Sequence, residues 1–372
     1  MPNASNSTFC LLCGLQLVKN GKTTAGTQRW RCLNCGVSSV RRRDDVTRRH
    51  QLTLFLTWLL GKLSQAETDG LSGRTFRNTT AWCWDVLPRL GPVTTTHKQV
   101  LVDGIWIGEW CLLIAVTETL EVLGWQWSGG ETTAAWSALF ERIPALEVVV
   151  CDGGIGIASA VRKTWPGTKT QRCIFHVQMN VRRHLTMNPR SDAARRLRKL
   201  SLQLSKVLTP EDAIQWRLKL EAWWQAYGHL TKVRSSDGRA SWFTHDRLRK
   251  AWLLLSKLSR EGTLFTYVEH GNARTTSPLE GGINSGIRTV LRNHRGMTEP
   301  HMKRAAEWFL TVHEVPIERA YEMITNAPDV TESPIDLPAK ATPIDVPEIS
   351  LYDTTMSAEE GLWSRSGWAG RS

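Results

Sequence analysis

The sequence predicts a mixed α/β fold that carries an all-helical insertion and is preceded by a small metal-stapled module. Three observations lead there. Two Cys-x-x-Cys pairs stand close together near the N-terminus. Strand-like and helix-like segments alternate between Gln99 and Cys173. After Val177 the apolar residues switch to helical spacing among many charges.

The Cys-rich module comes first. Cys10-Leu-Leu-Cys13 and Cys32-Leu-Asn-Cys35 are separated by eighteen residues. Four thiolates at this spacing close a tetrahedral site, so one structural Zn²⁺ on Cys10, Cys13, Cys32 and Cys35 is expected. So short a segment cannot bury a core, and the metal would supply its folding energy. Residues 1–40 are therefore a zinc ribbon. Arg41-Arg42-Arg43 follows it and, with Arg29 and Arg31, offers a basic surface suited to DNA.

Residues 41–92 are helical. Leu52, Leu56, Leu59, Leu60 and Leu63 recur on one face of a helix over Arg48–Leu63. Gly70 and Gly73 interrupt the pattern. A second helix runs from Ser72 to Leu87 and is stopped by Pro88. Two short helices across a tight turn are compatible with a helix-turn-helix, with Arg74 and Arg77 on the later helix. An ordinary helical hairpin linking two domains fits the pattern equally well.

The sheet follows. Gln99–Ile107, Trp110–Thr117 and Leu120–Trp127 read as a three-strand meander closed by Ser128-Gly-Gly. Thr132–Ile143 is helix-like. Glu147-Val-Val-Val-Cys-Asp152 is a continuous apolar run ending in a carboxylate, which marks a buried parallel strand. Ile155–Thr164 is the helix behind it, and Thr168–Cys173 a further strand. The order is β-β-β-α-β-α-β-α. Residues 177–270 then form the insertion, with Leu197, Leu200 and Leu204, Trp216, Leu220 and Trp223, and Trp252 and Leu255 at helical spacing. Residues 271–315 return to the sheet domain, and 316–372 are a short helix and a disordered acidic tail, proline-rich without periodicity.

Charge points to the partner. The chain has a net charge of +12 and a pI near 9.5. Residues 1–50 hold nine Lys/Arg against two Asp, whereas 328–372 hold three against eight acids. A basic body suits a polyanion, most simply nucleic acid. No apolar run is long enough to span a membrane, and Met1–Cys10 lacks the charged and apolar parts of a secretory leader. No membrane partner and a cytoplasmic location are expected.

Three acids carry the candidate chemistry. Asp103 lies inside the first strand of the sheet, and Asp152 ends a buried one. Glu280 opens the block Thr276-Ser-Pro-Leu-Glu-Gly-Gly-Ile-Asn-Ser-Gly. Ser277, Pro278 and Glu280 read as N-cap, first helical residue and capping-box partner. Gly281 and Gly282 weaken the helix so begun, by about 1 kcal/mol each, and suggest a close approach to its backbone. Two aspartates on neighbouring strands and a glutamate on a covering helix can hold two Mg²⁺ or Mn²⁺ for phosphodiester chemistry. Glu280, Asn284 and Arg288 form a polar stripe beside the apolar stripe Leu279, Ile283, Ile287 and Leu291. Arg292, His294 and Arg295 extend the polar side, so Asn284, Arg288, Arg292 and Arg295 are candidates for contact with DNA.

These segments, in this order, resemble the DDE transposases of bacterial insertion sequences, in the branch related to the eukaryotic Mutator group. The resemblance rests on Val102-Asp103-Gly104, Cys151-Asp152-Gly153-Gly154, Cys173-Ile-Phe-His176 and the Thr276–Arg295 block. It covers roughly Val100 to His313, with a zinc ribbon in front as some members have. Many of the wider group read T-N-x-x-E where this chain reads Thr276-Ser277-Pro278-Leu279-Glu280. The resemblance implies a ribonuclease H-like catalytic domain in two parts, 93–176 and 271–315, around the insertion. It implies Asp103, Asp152 and Glu280 as the metal-binding triad, with Cys173 and His176 as active-site support. It also implies DNA cleavage at the terminal inverted repeats of an element and strand transfer into target DNA, by a homo-oligomer at the bacterial nucleoid. Two other readings share these features: a DNA-binding protein derived from a transposase but lacking its chemistry, and a metal-dependent nuclease of the same fold.

Overall fold

The computed structural model describes residues 9–326 apart from 11, 12, 25, 27, 40–43, 71 and 314. Arg41, Arg42, Arg43 and the acidic tail lie outside the described residues. The chain divides into two units. One takes in the described residues up to Gly91 and those from Ile287 on; the other runs from Pro92 to Gly286.

In the first unit, β1 (Leu17–Lys22), β2 (Gln28–Cys32) and β3 (Ser38–Ser39) form an antiparallel sheet in that order. Its side chains are mostly exposed, as expected of a module without an apolar core. A helix over Asp44–Leu60 buries Leu52, Leu56 and Leu59 with Phe55. Leu63, expected on the same face, is 52% exposed, because the helix ends at Leu60. Ser64 and Glu67 then form a capping box that starts a short helix, Gln65–Asp69, closed by Gly70 in the left-handed region. A helix over Gly73–Thr80 follows, shorter than the pattern suggested, with one 3₁₀ turn after it. Phe76, Cys83, Ala305 and Trp308 complete the core with the helix Glu299–Thr311. Each large apolar side chain fully buried there contributes about 1.5–3 kcal/mol.

The second unit holds a five-stranded mixed sheet. Its strands are β4 (Gln99–Ile107), β5 (Trp110–Val116), β6 (Val122–Ser128), β7 (Val148–Cys151) and β8 (Lys169–Arg172), in the order β6-β5-β4-β7-β8. β4, β5 and β6 are antiparallel neighbours; β7 runs parallel to β4 and to β8. The succession of strands and helices is the one the apolar patterns predict. Alternation sends Val100, Val102, Val149 and Cys151 into one core with the helices Thr133–Phe140 and Ile155–Thr164. Leu101, Asp103 and Val150 therefore face the opposite side.

Helices Ile174–Leu185, Asp192–Gln203, Pro210–Tyr227 and Asp246–Arg260 build a second apolar core around Leu197, Trp216, Ala251 and Leu255. The indole N–H of Trp216 donates to the Leu200 carbonyl at 2.9 Å, and that of Trp223 to Ala193 at 2.9 Å. These rings are core. The region is not wholly helical: β9 (Arg234–Ser236) and β10 (Ser241–Phe243) pair as a hairpin. Asp237 accepts from the backbone N–H of Arg239 and Ala240, and Gly238 has φ +85°. This Asp-Gly turn signal was present in the sequence but lay within a helical pattern.

Candidate active site

Sheet register assembles the first half of the site. Gln99, Val100 and Leu101 of β4 pair with Val148, Val149 and Val150 of β7. The pairing stops there, and Asp103 and Asp152 each lie two residues beyond its last pair, towards the carboxyl end of the parallel strands. Open α/β sheets leave a crevice for ligands at such ends. Asp152 steers the exit from β7, its Oδ1 accepting from the Gly154 N–H at 3.0 Å. Gly153 has φ +83°, and a Cβ there would meet the Arg172 guanidinium carbon at 1.9 Å, so the turn needs glycine twice over. Arg172 Nη1 donates to the Gly153 carbonyl at 3.1 Å and keeps the loop shut.

The Glu280 segment supplies the other half. The expected capping box is absent. Ser277 lies within the first turn, Thr276 precedes it without a side-chain cap, and Ser277–Leu279 passes into a π-turn over Glu280–Asn284 before the helix Ser285–Asn293. The Glu280 carboxylate reaches back to the residue before the helix instead of to Ser277: its Oε1 accepts from the Thr276 hydroxyl at 2.6 Å. Single π-turns of this kind gather at functional sites. Gly282 explains part of the glycine pair, since a Cβ on it would stand 3.1 Å from Leu120 Cδ1 of the β5–β6 turn. A Cβ on Gly281 would meet nothing within 4 Å.

Asn284 joins the halves. It is 1% exposed and donates from Nδ2 to Asp103 Oδ2 at 2.7 Å. A place on a DNA-facing stripe does not fit that burial. The stripe is interrupted because the π-turn rotates Asn284 inward. Its Oδ1 has no hydrogen-bond partner, an orphaned buried acceptor next to a carboxylate.

Cys173 and His176 lie against Glu280. Cys173 precedes the helix Ile174–Leu185, and His176 is on its first turn. Thr276 places its backbone N–H 3.4 Å and its hydroxyl 3.3 Å from Cys173 Sγ. His176 Nδ1 is 3.8 Å from Glu280 Oε1. Burial alone would lower the imidazole pKa, but the Cys173 sulfur and the charges of Glu280 and Asp103 lift it to about 10. Burial pushes the Cys173 thiol up, yet His176 and Thr276 together bring it below the usual range. Nδ1 makes no hydrogen bond of ordinary geometry, so the contact with Glu280 is one of charge.

Two tight groups of potential metal ligands occur among the described residues, each with its ligand atoms within 4.8 Å of one another. One is Cys10, Cys13, Cys32 and Cys35, compatible with the expected zinc ribbon; Cys10 and Cys35 sulfurs are 3.5 Å apart, and those of Cys13 and Cys32 are 3.3 Å apart. The other is Cys173, His176 and Glu280. His184, the sequence's loose candidate to complete a site with Cys173 and His176, is not in it.

Of the other candidates, Arg74, Arg77, Arg292 and Arg295 are exposed, and Arg288 is half-buried. Arg77 Nη1 donates to Gln65 Oε1 at 2.8 Å. Two residues at the site, Thr276 and Glu131, carry roles the sequence did not assign, and Asn284, assigned there to DNA, serves Asp103 instead. Glu131 stands in the loop after β6, with Oε1 2.9 Å from where a Cβ on Gly104 would sit and Oε2 3.9 Å from the same point on Gly154. A carboxylate straight after Ser128-Gly-Gly was its one signal.

The comparisons with known proteins agree with the resemblance. Residues 110–247 match the family described as "Transposase, Mutator family". That segment includes Asp152, Cys173 and His176 and stops short of Asp103 and Glu280. The transposase for insertion sequence element IS905 of Lactococcus lactis subsp. lactis is 31% identical over 101 residues, 23% of this chain and 26% of that protein. The chain thus matches about a quarter of the length of that relative. A Mutator-related insertion-sequence transposase is the relationship both findings support.

Proposed function

We propose that the chain is a transposase that cuts DNA at the ends of its own element and joins the freed 3′ ends to target DNA, using Asp103, Asp152 and Glu280. The observation that carries the reading is the hydrogen bond from Asn284 to Asp103. It ties the Glu280 turn to Asp103, which, like Asp152, lies two residues beyond the last pair of β4 with β7. Three carboxylates and the orphaned amide oxygen of Asn284 are hard oxygen donors, which suits Mg²⁺ or Mn²⁺ held by Asp103, Asp152 and Glu280. Bound there, such ions supply an activated attacking oxygen and neutralise the leaving one.

The chain's own residues do the rest. Thr276 and His176 hold the Glu280 carboxylate in one orientation, and Asn284 does the same for Asp103. The β7 exit, held by Arg172 on Gly153, keeps Asp152 at the carboxyl end of β7. The segments 93–176 and 271–286 make up the catalytic domain, on a ribonuclease H-like plan, around the insertion 177–270, and from Ile287 on the chain belongs to the unit of the N-terminal helices. The ribbon of residues 1–40 and the helical region 41–92 read the terminal inverted repeats, with Arg74 and Arg77 exposed for phosphate contact. Arg288, Arg292 and Arg295 serve the same purpose. Both element ends must be held at once, so the working form is a homo-oligomer on DNA. No helix among the described residues is long and apolar enough to cross a membrane, consistent with action on chromosomal DNA.

Strand transfer in vitro tests the reading. Purified chain, labelled duplex carrying the element ends, supercoiled target and Mg²⁺ should yield joined product, and Glu280→Gln should yield none. Cleavage without joining would favour a nuclease. Tight end binding without cleavage in Mg²⁺ or Mn²⁺ would favour the non-catalytic binder.

A further inference from the structure

We propose that Cys173, His176 and Glu280 form a thiophilic metal site, open at its fourth position, that takes Zn²⁺ and thereby competes with Asp103 and Asp152 for Glu280. The metal site itself stands on the geometry; only its effect on activity rests on the function proposed above.

Four observations carry it. The ligand atoms, one sulfur, one imidazole nitrogen and one carboxylate oxygen, lie within 4.8 Å of one another. Three protein ligands of these types with a free position are the donor set of an open zinc site, and a thiolate disfavours Mg²⁺. His176 is 4% exposed, and its Nδ1 is buried without a hydrogen-bond partner, 3.8 Å from Glu280 Oε1. A buried nitrogen left without a hydrogen bond in such company is where a metal bond would form.

An outer shell is also built. The Thr276 N–H is directed at Cys173 Sγ at 3.4 Å, as thiolate ligands commonly require. The Thr276 hydroxyl has a single proton and sits 2.6 Å from Glu280 Oε1 and 3.3 Å from Sγ. The shorter contact takes the proton, so one residue orients two of the three ligands. Access is from one side only: Cys173 is fully buried, whereas the Glu280 side chain is 25% exposed. An ion therefore enters past Glu280, the ligand the two centres share.

The consequence is a choice for one carboxylate. With Zn²⁺ on Cys173 and His176, Glu280 Oε1 is engaged away from Asp103 and Asp152. Mg²⁺-dependent cleavage should then fall as zinc rises.

Zinc content of the full chain is the test. Protein equilibrated with micromolar Zn²⁺ and passed through a desalting column should retain about two equivalents, one on the ribbon. Cys173→Ser and His176→Ala should each retain about one. Glu280→Gln is nearly isosteric at a part-exposed position, so folding should survive, and it should weaken retention of the second ion at least tenfold. Asp152→Asn should keep both ions although it abolishes cleavage. A wild-type chain that never exceeds the ribbon's single equivalent overturns the proposal, as does a second equivalent that persists in both Cys173→Ser and Glu280→Gln. A second equivalent lost in those variants, in a chain without Mg²⁺-dependent cleavage, would uphold the zinc site and remove the catalytic reading.

Discussion

Replacing Thr276 by Val removes one hydroxyl and little else. Thr276 is fully buried, so the β-branched isostere keeps its packing. The backbone N–H still reaches Cys173. What disappears is the 2.6 Å hydrogen bond to Glu280 Oε1. A hydrogen bond to a charged group contributes about 1.5–3 kcal/mol. The Glu280 side chain is 25% exposed, and water replaces part of the lost bond, so the lower half of that range applies. If the whole loss falls on the transition state, roughly 1.5–2 kcal/mol corresponds to a 10- to 30-fold slower cleavage step. Single-turnover cleavage of a labelled end at saturating Mg²⁺ measures that step, and a thermal melt confirms that the fold survives. A Thr276→Val rate within twofold of wild type, with Glu280→Gln inactive in the same assay, would show that Glu280 is held by something else.

Further expectations follow from the same geometry. Gly281→Ala should raise stability by about 0.4–1 kcal/mol in a denaturant titration, because the methyl meets nothing and the unfolded chain loses freedom. Gly282→Ala should raise stability less than Gly281→Ala in the same titration, because its methyl stands 3.1 Å from Leu120 Cδ1, which has to give way. A strong chelator should abolish hydrogen-exchange protection in β1–β3, and Zn²⁺ should restore it, because that sheet has no apolar core of its own. Burial pushes the Cys83 thiol from 9.0 up to about 12. Between those values the folded state holds a proton that the unfolded state has released, so stability should fall as pH rises from 9 towards 12. Urea midpoints across that range should decline less steeply in Cys83→Ala than in wild type.

The local rules were legible wherever a pattern met no competitor. Apolar alternation and runs located all five strands of the mixed sheet, because a strand buried on both faces has few alternatives to its sequence pattern. Two Cys-x-x-Cys pairs located the four-cysteine cluster, since thiolate spacing is a chemical signature rather than a packing preference. The reading failed where two local signals overlapped. Ser277, Pro278 and Glu280 satisfied the capping-box pattern, but the Thr276 hydroxyl claimed the carboxylate, and a π-turn follows the first helical turn. Asn284 looked like a solvent-facing residue at helical spacing until that turn rotated it onto Asp103.

By itself, the sequence determined the strands of the mixed sheet, the pairing of the four clustered cysteines by spacing, the basic character of the chain and the three candidate acids. Those depend on residue type and on spacing within a few residues. Tertiary structure alone decided the company the acids keep. The Asn284 amide reached Asp103 across 181 positions of chain, and Thr276 and Glu280 came to rest on Cys173 and His176 about a hundred positions away. Contacts at such separations are chosen by the packing of whole elements, in which no short stretch of sequence states its partner.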